Sequence, residues 1–251
     1  MGMNYIIGRL INRSFDALLR HRSLPLFRSF GLGRRYEYDI ARFAGTRDLR
    51  MFFDVGANIG QTSRELLRYY PAATIHAFEP IQATYAQLER NLAHHPNVRT
   101  HQLALGDQAG VLEVELQSDP FLNSLNFGTN PGPTGTGQRE RITVSTVNDV
   151  CAANQIPFLD LLKVDAQGAD LKVLKGAGGM LDRDCVRFVL CEVGFDAADE
   201  INQPFVPVHE YLQSRGMMLC GFYGPVRNGP RQAFVGFRDA LYANPLLLGS
   251  P

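Results

Sequence analysis

Apolar residues along this chain gather into short runs that alternate with stretches of helical spacing. Met51–Val55, Ala73–Phe78, Val98–Leu103, Phe158–Val164 and Val186–Val193 are too short for core helices and read as strands. Phe158–Val164 (FLDLLKV) is almost continuously apolar, as a parallel strand covered on both faces must be. Between these runs, Gln61–Tyr70, Gln82–Ala93, Ala169–Lys175 and Val206–Arg215 have helical spacing; Tyr85, Leu88 and Leu92 form one such stripe. That alternation predicts an α/β fold around a mostly parallel sheet. Met217–Tyr223 and Arg231–Arg238 read as a sixth and a seventh strand. The hairpin-like GPVRNGPR joins them, so they should be mutually antiparallel. Val111–Leu116 (VLEVEL) alternates like an edge strand or hairpin arm, Ile142–Ser145 reads as a short strand, and Val147–Asn154 as a turn or two of helix.

Met3–Arg22 carries Ile7, Leu10, Ile11, Phe15, Leu18 and Leu19 at helical spacing, with Arg9, Arg13 and Arg20 between them. It reads as a helix packed on the domain as a lid, or as a basic amphipathic helix resting on an anionic membrane or a partner. Ser23–Gly33 follows as a connection and Tyr36–Ala44 as a second helix. Asp119–Gln138 breaks all periodicity around FGTNPGPTGTGQ, and a loop of that length is expected to be functional or disordered. The expected division is a helical extension over 1–48, the main domain over 49–244 and a frayed tail over 245–251.

With 251 residues and 45% hydrophobic content, the chain can bury a full core. Its net charge of +0 gives a nucleic-acid partner no global electrostatic support. The charge is nevertheless lopsided, since residues 1–50 hold ten arginines against four acidic residues. The cysteines, Cys151, Cys185, Cys191 and Cys220, form no CxxC pair and read as reduced core thiols of a cytoplasmic protein. No run approaches the roughly 20 apolar residues of a membrane span, and the early basic residues alternate with apolar ones rather than preceding an apolar block, so no signal peptide is expected.

The chemistry concentrates at Met51–Gly60, MFFDVGANIG. A strand ending at Asp54 meets Gly56, Ala57, Asn58, Ile59 and Gly60, and a helix starts at once. A backbone that turns sharply and comes close to a ligand needs glycine, and a new helix offers free N–H groups to it. Asn58 suits such a turn because Asn tolerates unusual φ/ψ. The pattern is DxGxxxG and not the GxGxxG of nicotinamide-dependent enzymes, which suits a ligand without a pyrophosphate. About twenty residues on, the second strand ends in Glu79–Pro80, where an acid can accept both hydrogen bonds of a ribose diol. The two markers together point to an adenosine-type cofactor.

FDVGANIG, AFEP, LLKVDAQGADLKVLKGA and a strand ending in CE, in that order, resemble the FkbM family of S-adenosylmethionine-dependent methyltransferases. The resemblance covers roughly Phe52–Tyr242. It implies a Rossmann-like class I methyltransferase fold: a seven-stranded, mostly parallel sheet with an antiparallel last strand. It also implies S-adenosylmethionine held by Asp54, Gly56, Ala57, Asn58, Gly60, Glu79 and Pro80, with Asp107 where such enzymes place a contact to the adenine amine. The irregular loop falls where an acceptor lid would sit, making Asn123, Ser124 and Asn126 candidate hydroxyl contacts. The family usually has Glu where this chain has Gln167, itself a candidate substrate contact.

Methyl transfer to a hydroxyl benefits from a general base. Asp165 and Glu192 end strands facing the cleft and are the catalytic candidates. His21, His76, His101 and His209 have no compelling position. No dense carboxylate cluster supports a metal, so none is expected. The acceptor class, a sugar, glycan or secondary metabolite, comes from the resemblance alone. The competing readings are a catalytically degenerate binding module, kept open by Gln167, and an NAD(P)-dependent oxidoreductase, opposed by Asn58.

Overall fold

The computed structural model describes residues 32–117, 135–196, 199 and 201–248. The Met3–Arg22 helix, His21, and Asn123, Ser124 and Asn126 lie outside the described residues.

Helix α1 (Tyr36–Phe43) precedes the central unit of β1 (Met51–Val55), α2 (Gln61–Tyr69), β2 (Thr74–Phe78), α3 (Gln82–Leu92) and β3 (Val98–His101). Strands β4 (Ala104–Leu105), β5 (Gly110–Gln117) and β6 (Gly135–Ser145) follow, then α4 (Val147–Ala153) and β7 (Leu159–Val164). The chain closes with α5 (Asp170–Gly176), α6 (Gly178–Leu181), β8 (Val186–Gly194), α7 (Phe205–Ser214), β9 (Met218–Asn228) and β10 (Phe234–Ala243).

The main sheet runs β3-β2-β1-β7-β8-β10-β9, with seven strands. Neighbours from β3 to β8 pair in parallel, and β10 is antiparallel to both β8 and β9. This is the expected class I methyltransferase sheet, with the last strand reversed and inserted beside β8. Alternation along each strand divides the core in two. Phe52, Leu161, Leu190 and Leu241 face α1 and α2, whereas Phe53, Leu162, Val189 and Ala240 face α4, α5 and α7.

Three expectations shift. The third strand stops at His101, whose carbonyl accepts from the Glu79 amide at 3.0 Å; Ala104 and Leu105 instead pair with β6. They join β5 and β6 in a second, three-stranded sheet of order β4-β6-β5 that the periodicity did not disclose. The presumed link after Tyr223 continues β9 as far as Asn228, and the seventh strand moves to Phe234–Ala243, because Ala240, Leu241 and Tyr242 carry the burial. After β10 the Asn244 side chain accepts from the Leu246 amide at 3.0 Å and caps a single 3-10 turn, Pro245–Leu247. Among the described residues no helix is long and apolar enough to cross a membrane.

Candidate active site

A cavity of about 260 Å³ opens over the C-terminal ends of β1, β2 and β7, where open α/β sheets bind ligands. One wall is the turn after β1. Gly56 and Ala57 both donate to the Phe78 carbonyl, at 3.1 and 2.9 Å, which ties the turn to the tip of β2. Gly56 has φ +71, and a Cβ there would meet the Asp165 carbonyl oxygen at 1.9 Å. Its glycine is therefore required by the backbone just after β7, a reason the sequence reading did not contain. The Gly56 and Ala57 amides are likewise engaged within the fold. Asn58 has the anticipated left-handed conformation, φ 49, and its Oδ1 accepts from the Ile59 amide at 2.8 Å. Gly60, φ +88, starts α2 against Leu88 and Leu92. No side chain caps that helix, and its first turn lines the cavity through Gln61 and Thr62.

Glu79 stands at the cavity wall 7% exposed, and its Oε1 accepts from the Ile81 amide at 3.0 Å. Burial pushes its carboxyl up to about 7, partly offset by the Ile81 and Asn58 backbone donors. Beyond it the wall turns apolar: Ile81, Leu103, Leu105, Val114 and Ile142 form a slot. The small second sheet thus roofs the pocket. These lining residues escaped the sequence reading, since VLEVEL shows a strand but not what its apolar face covers.

The opposite wall is charged. Asp165, Ala166 and Gln167 follow β7 and line the cavity with Lys163. The Gln167 Nε2 donates to Asp165 Oδ1 at 2.9 Å, and the Lys163 ammonium lies 3.3 Å from Asp165 Oδ2. Gln167 itself has φ 48, and the turn is held from below by Asp170, which accepts from the Ala166 and Gly168 amides at 3.3 and 3.2 Å. Asp170 is 1% exposed, and burial, reinforced by Asp165, raises it to about 7. Glu192 on β8 pairs in register with Asp239 on β10, so two carboxylates sit side by side. Burial first, then Asp165 and Asp239, push Glu192 up to about 9; burial raises Asp239 to about 6.

A family model, the methyltransferase FkbM domain, matches residues 54–218. The chain belongs to the FkbM methyltransferase family. It is 31% identical over 167 residues to the 31-O-demethyl-FK506 methyltransferase FkbM of Streptomyces tacrolimicus, covering 56% of this chain and 64% of that protein. Methyltransferase 1 of Beauveria bassiana (strain ARSEF 2860) is 30% identical over 158 residues, covering 55% and 61%. The 2-O-methyltransferase NoeI of Sinorhizobium fredii (strain NBRC 101917 / NGR234) is 22% identical over 181 residues, covering 65% and 71%. The chain thus spans less than two thirds of the length of the first two relatives.

Against this FkbM framework, the cavity gathers Gly56, Ala57, Asn58, Glu79, Pro80, Asp165 and Gln167 of the expected site. Asp54, Gly60, Asp107 and Glu192 do not line it. Asp54 is 0% exposed beneath the turn, accepting from Ser63 Oγ at 2.6 Å and pairing with Lys163 at 3.2 Å. Asp107 lies exposed beyond Gly106. Lys163 and Asp239 are the charged residues that sequence reasoning missed. Both fall inside apolar strands, where only parity along the strand separates an inward lysine from a surface one. His76 and His101 lie 3.0 Å apart, ring nitrogen to ring nitrogen, in a stack with Phe78 away from the carboxylates, and burial lowers His76 to about 4. Among the described residues no group of three or more His, Cys, Asp or Glu could hold a metal ion.

Proposed function

We propose that this chain is an S-adenosylmethionine-dependent O-methyltransferase acting on a hydroxyl of a small molecule, a sugar, glycan or secondary metabolite. The observation that carries the cofactor reading is one wall holding Glu79, nearly buried, beside an apolar slot and the uncapped first turn of α2. A ribose diol matches the carboxylate, a flat base the slot, and a polar tail the helix turn. The FkbM relatives support transfer to oxygen, because two are described as methylating at an O position.

S-adenosylmethionine, when bound, supplies an electrophilic methyl whose bonding electrons stay on sulfur. The protein supplies alignment and a place for the acceptor proton. Asp165, at the cavity wall and held by Lys163 and Gln167, orients the acceptor hydroxyl and receives its proton. Glu192, raised to about 9, stays protonated at neutral pH and adds no second negative charge beside Asp165.

Calorimetric titration with S-adenosylmethionine, S-adenosylhomocysteine and NAD⁺ tests the reading. Micromolar binding of the first two and none of NAD⁺ is expected. Glu79→Gln should weaken both sulfur nucleotides about tenfold, the scale of one charge-assisted hydrogen bond. Binding of NAD⁺ alone, or of none of the three, would overturn the assignment.

A further inference from the structure

Lys163 is where the two walls of the cavity meet. Its ammonium lies 3.2 Å from Asp54 Oδ1, 3.3 Å from Asp165 Oδ2 and 3.5 Å from the Gly56 carbonyl oxygen. The side chain is 6% exposed, and that exposure is to the cavity. Asp54 Oδ1 is fully buried and has no hydrogen-bond partner among the described residues, so the ammonium is what compensates it. Supporting Asp54 alone would not require contact with Asp165 or a place in the cavity wall.

We propose that Lys163 is a positioning and specificity residue: it fixes Asp165 against the cofactor turn, and its charge limits how strongly the site prefers a cationic sulfonium over the neutral thioether left after transfer. The proposal rests on the S-adenosylmethionine reading above. The physical argument is a balance of charges at one wall. Asp54 and Asp165 attract a sulfonium, and a site that holds the ground-state cation too firmly raises the barrier to a reaction in which that charge disappears. An ammonium between the two carboxylates cancels part of that attraction without removing the acceptor-side carboxylate. S-adenosylmethionine and S-adenosylhomocysteine differ by the methyl and its charge, so the ratio of their affinities reads the local potential. A general loosening of the site would weaken both together.

The experiment measures both dissociation constants at pH 8 for the wild type, Lys163→Met and Lys163→Arg. Lys163→Met should raise the preference for S-adenosylmethionine about tenfold, as expected for one unit charge removed beside a cavity at an effective dielectric of about 20. Lys163→Arg should hold the ratio near the wild-type value. If melting shows that Lys163→Met does not fold, the Lys163→Met/Asp54→Asn double variant removes the orphaned charge as well. It should shift the ratio the same way, by about threefold, because an ion pair rather than a lone charge is lost. An unchanged ratio in a folded variant, or equal weakening of both nucleotides, overturns the role of Lys163 and leaves the cofactor reading standing. A wild-type protein that binds neither nucleotide overturns the cofactor reading, and the proposal with it.

Discussion

The two walls of the cavity are built on different principles. The polar part of one wall comes from one stretch, Val55–Ile81, and is fixed by backbone bonds: two amides onto the Phe78 carbonyl, Asn58 closing its own turn, and Glu79 anchored by the Ile81 amide. The opposite side draws on β7, β8 and β10: Lys163 and Asp165 line the cavity there, while Glu192 and Asp239, far from them in sequence, lie outside its lining. There the organising force is charge. Asp170, Glu192 and Asp239 are all raised, burial leading in each case, with Lys163 as a counter-charge. One wall is thus sensitive to shape and the other to protonation, and substitutions should divide accordingly.

The sharpest break is expected where the walls touch. Gly56→Ala places a Cβ 1.9 Å from the Asp165 carbonyl oxygen, at a backbone angle of +71°. Neither the turn nor β7 can yield cheaply, because both are pinned in the central sheet. We expect a loss of about 3 kcal/mol in chemical denaturation, combining a steric clash with a left-handed non-glycine residue. A stability within error of wild type would mean that the turn is looser than its hydrogen bonds imply.

This division explains what could be read from the chain beforehand. The order of strands and helices was legible because a parallel sheet imposes continuous apolar runs such as FLDLLKV. That Gly56, Asn58 and Glu79 share one cavity was legible because they are near in sequence and obey local rules. The reason for Gly56 was not, since the atom it must avoid belongs to Asp165, more than a hundred positions away. Lys163 reads as an interruption in an apolar strand until the pairing of β1 with β7 places Asp54 beside it. The roof formed by Val114 and Ile142 depends on a sheet whose strands β5 and β6 are far apart in sequence, and no periodicity links them.

A smaller effect should come from Gln167→Glu, which turns the donor beside Asp165 into a second carboxylate. The bond lost is 2.9 Å long, and like charges would then face each other across the same gap. At pH 8 this should cost about 1–2 kcal/mol of stability. The loss should fade below about pH 5, as one carboxyl of the pair takes up a proton. A pH-independent loss would assign the effect to the missing amide donor rather than to charge repulsion.

The last effect has the opposite sign and tests the buried carboxylates beside Asp165 as a charge layer. Glu192 is raised from its ordinary value of 4.5 to about 9, chiefly by burial and then by Asp165 and Asp239. A carboxyl whose folded-state value lies above its unfolded value favours folding only while it is protonated. That contribution is complete below about 4.5 and is lost as the pH rises through about 9. Glu192→Gln keeps the shape and removes the proton, so it should be near neutral at pH 5. From pH 7 to 9 it should become increasingly stabilising, so that its Tm rises above that of the wild type over this range. Asp239 beside it should also ionise more readily, because a neutral amide has replaced a neighbour that can become charged. If the variant melts lower than wild type at pH 9, Glu192 holds its proton through a hydrogen bond that the amide cannot reproduce. The layer would then be ordered by geometry, like the wall it faces.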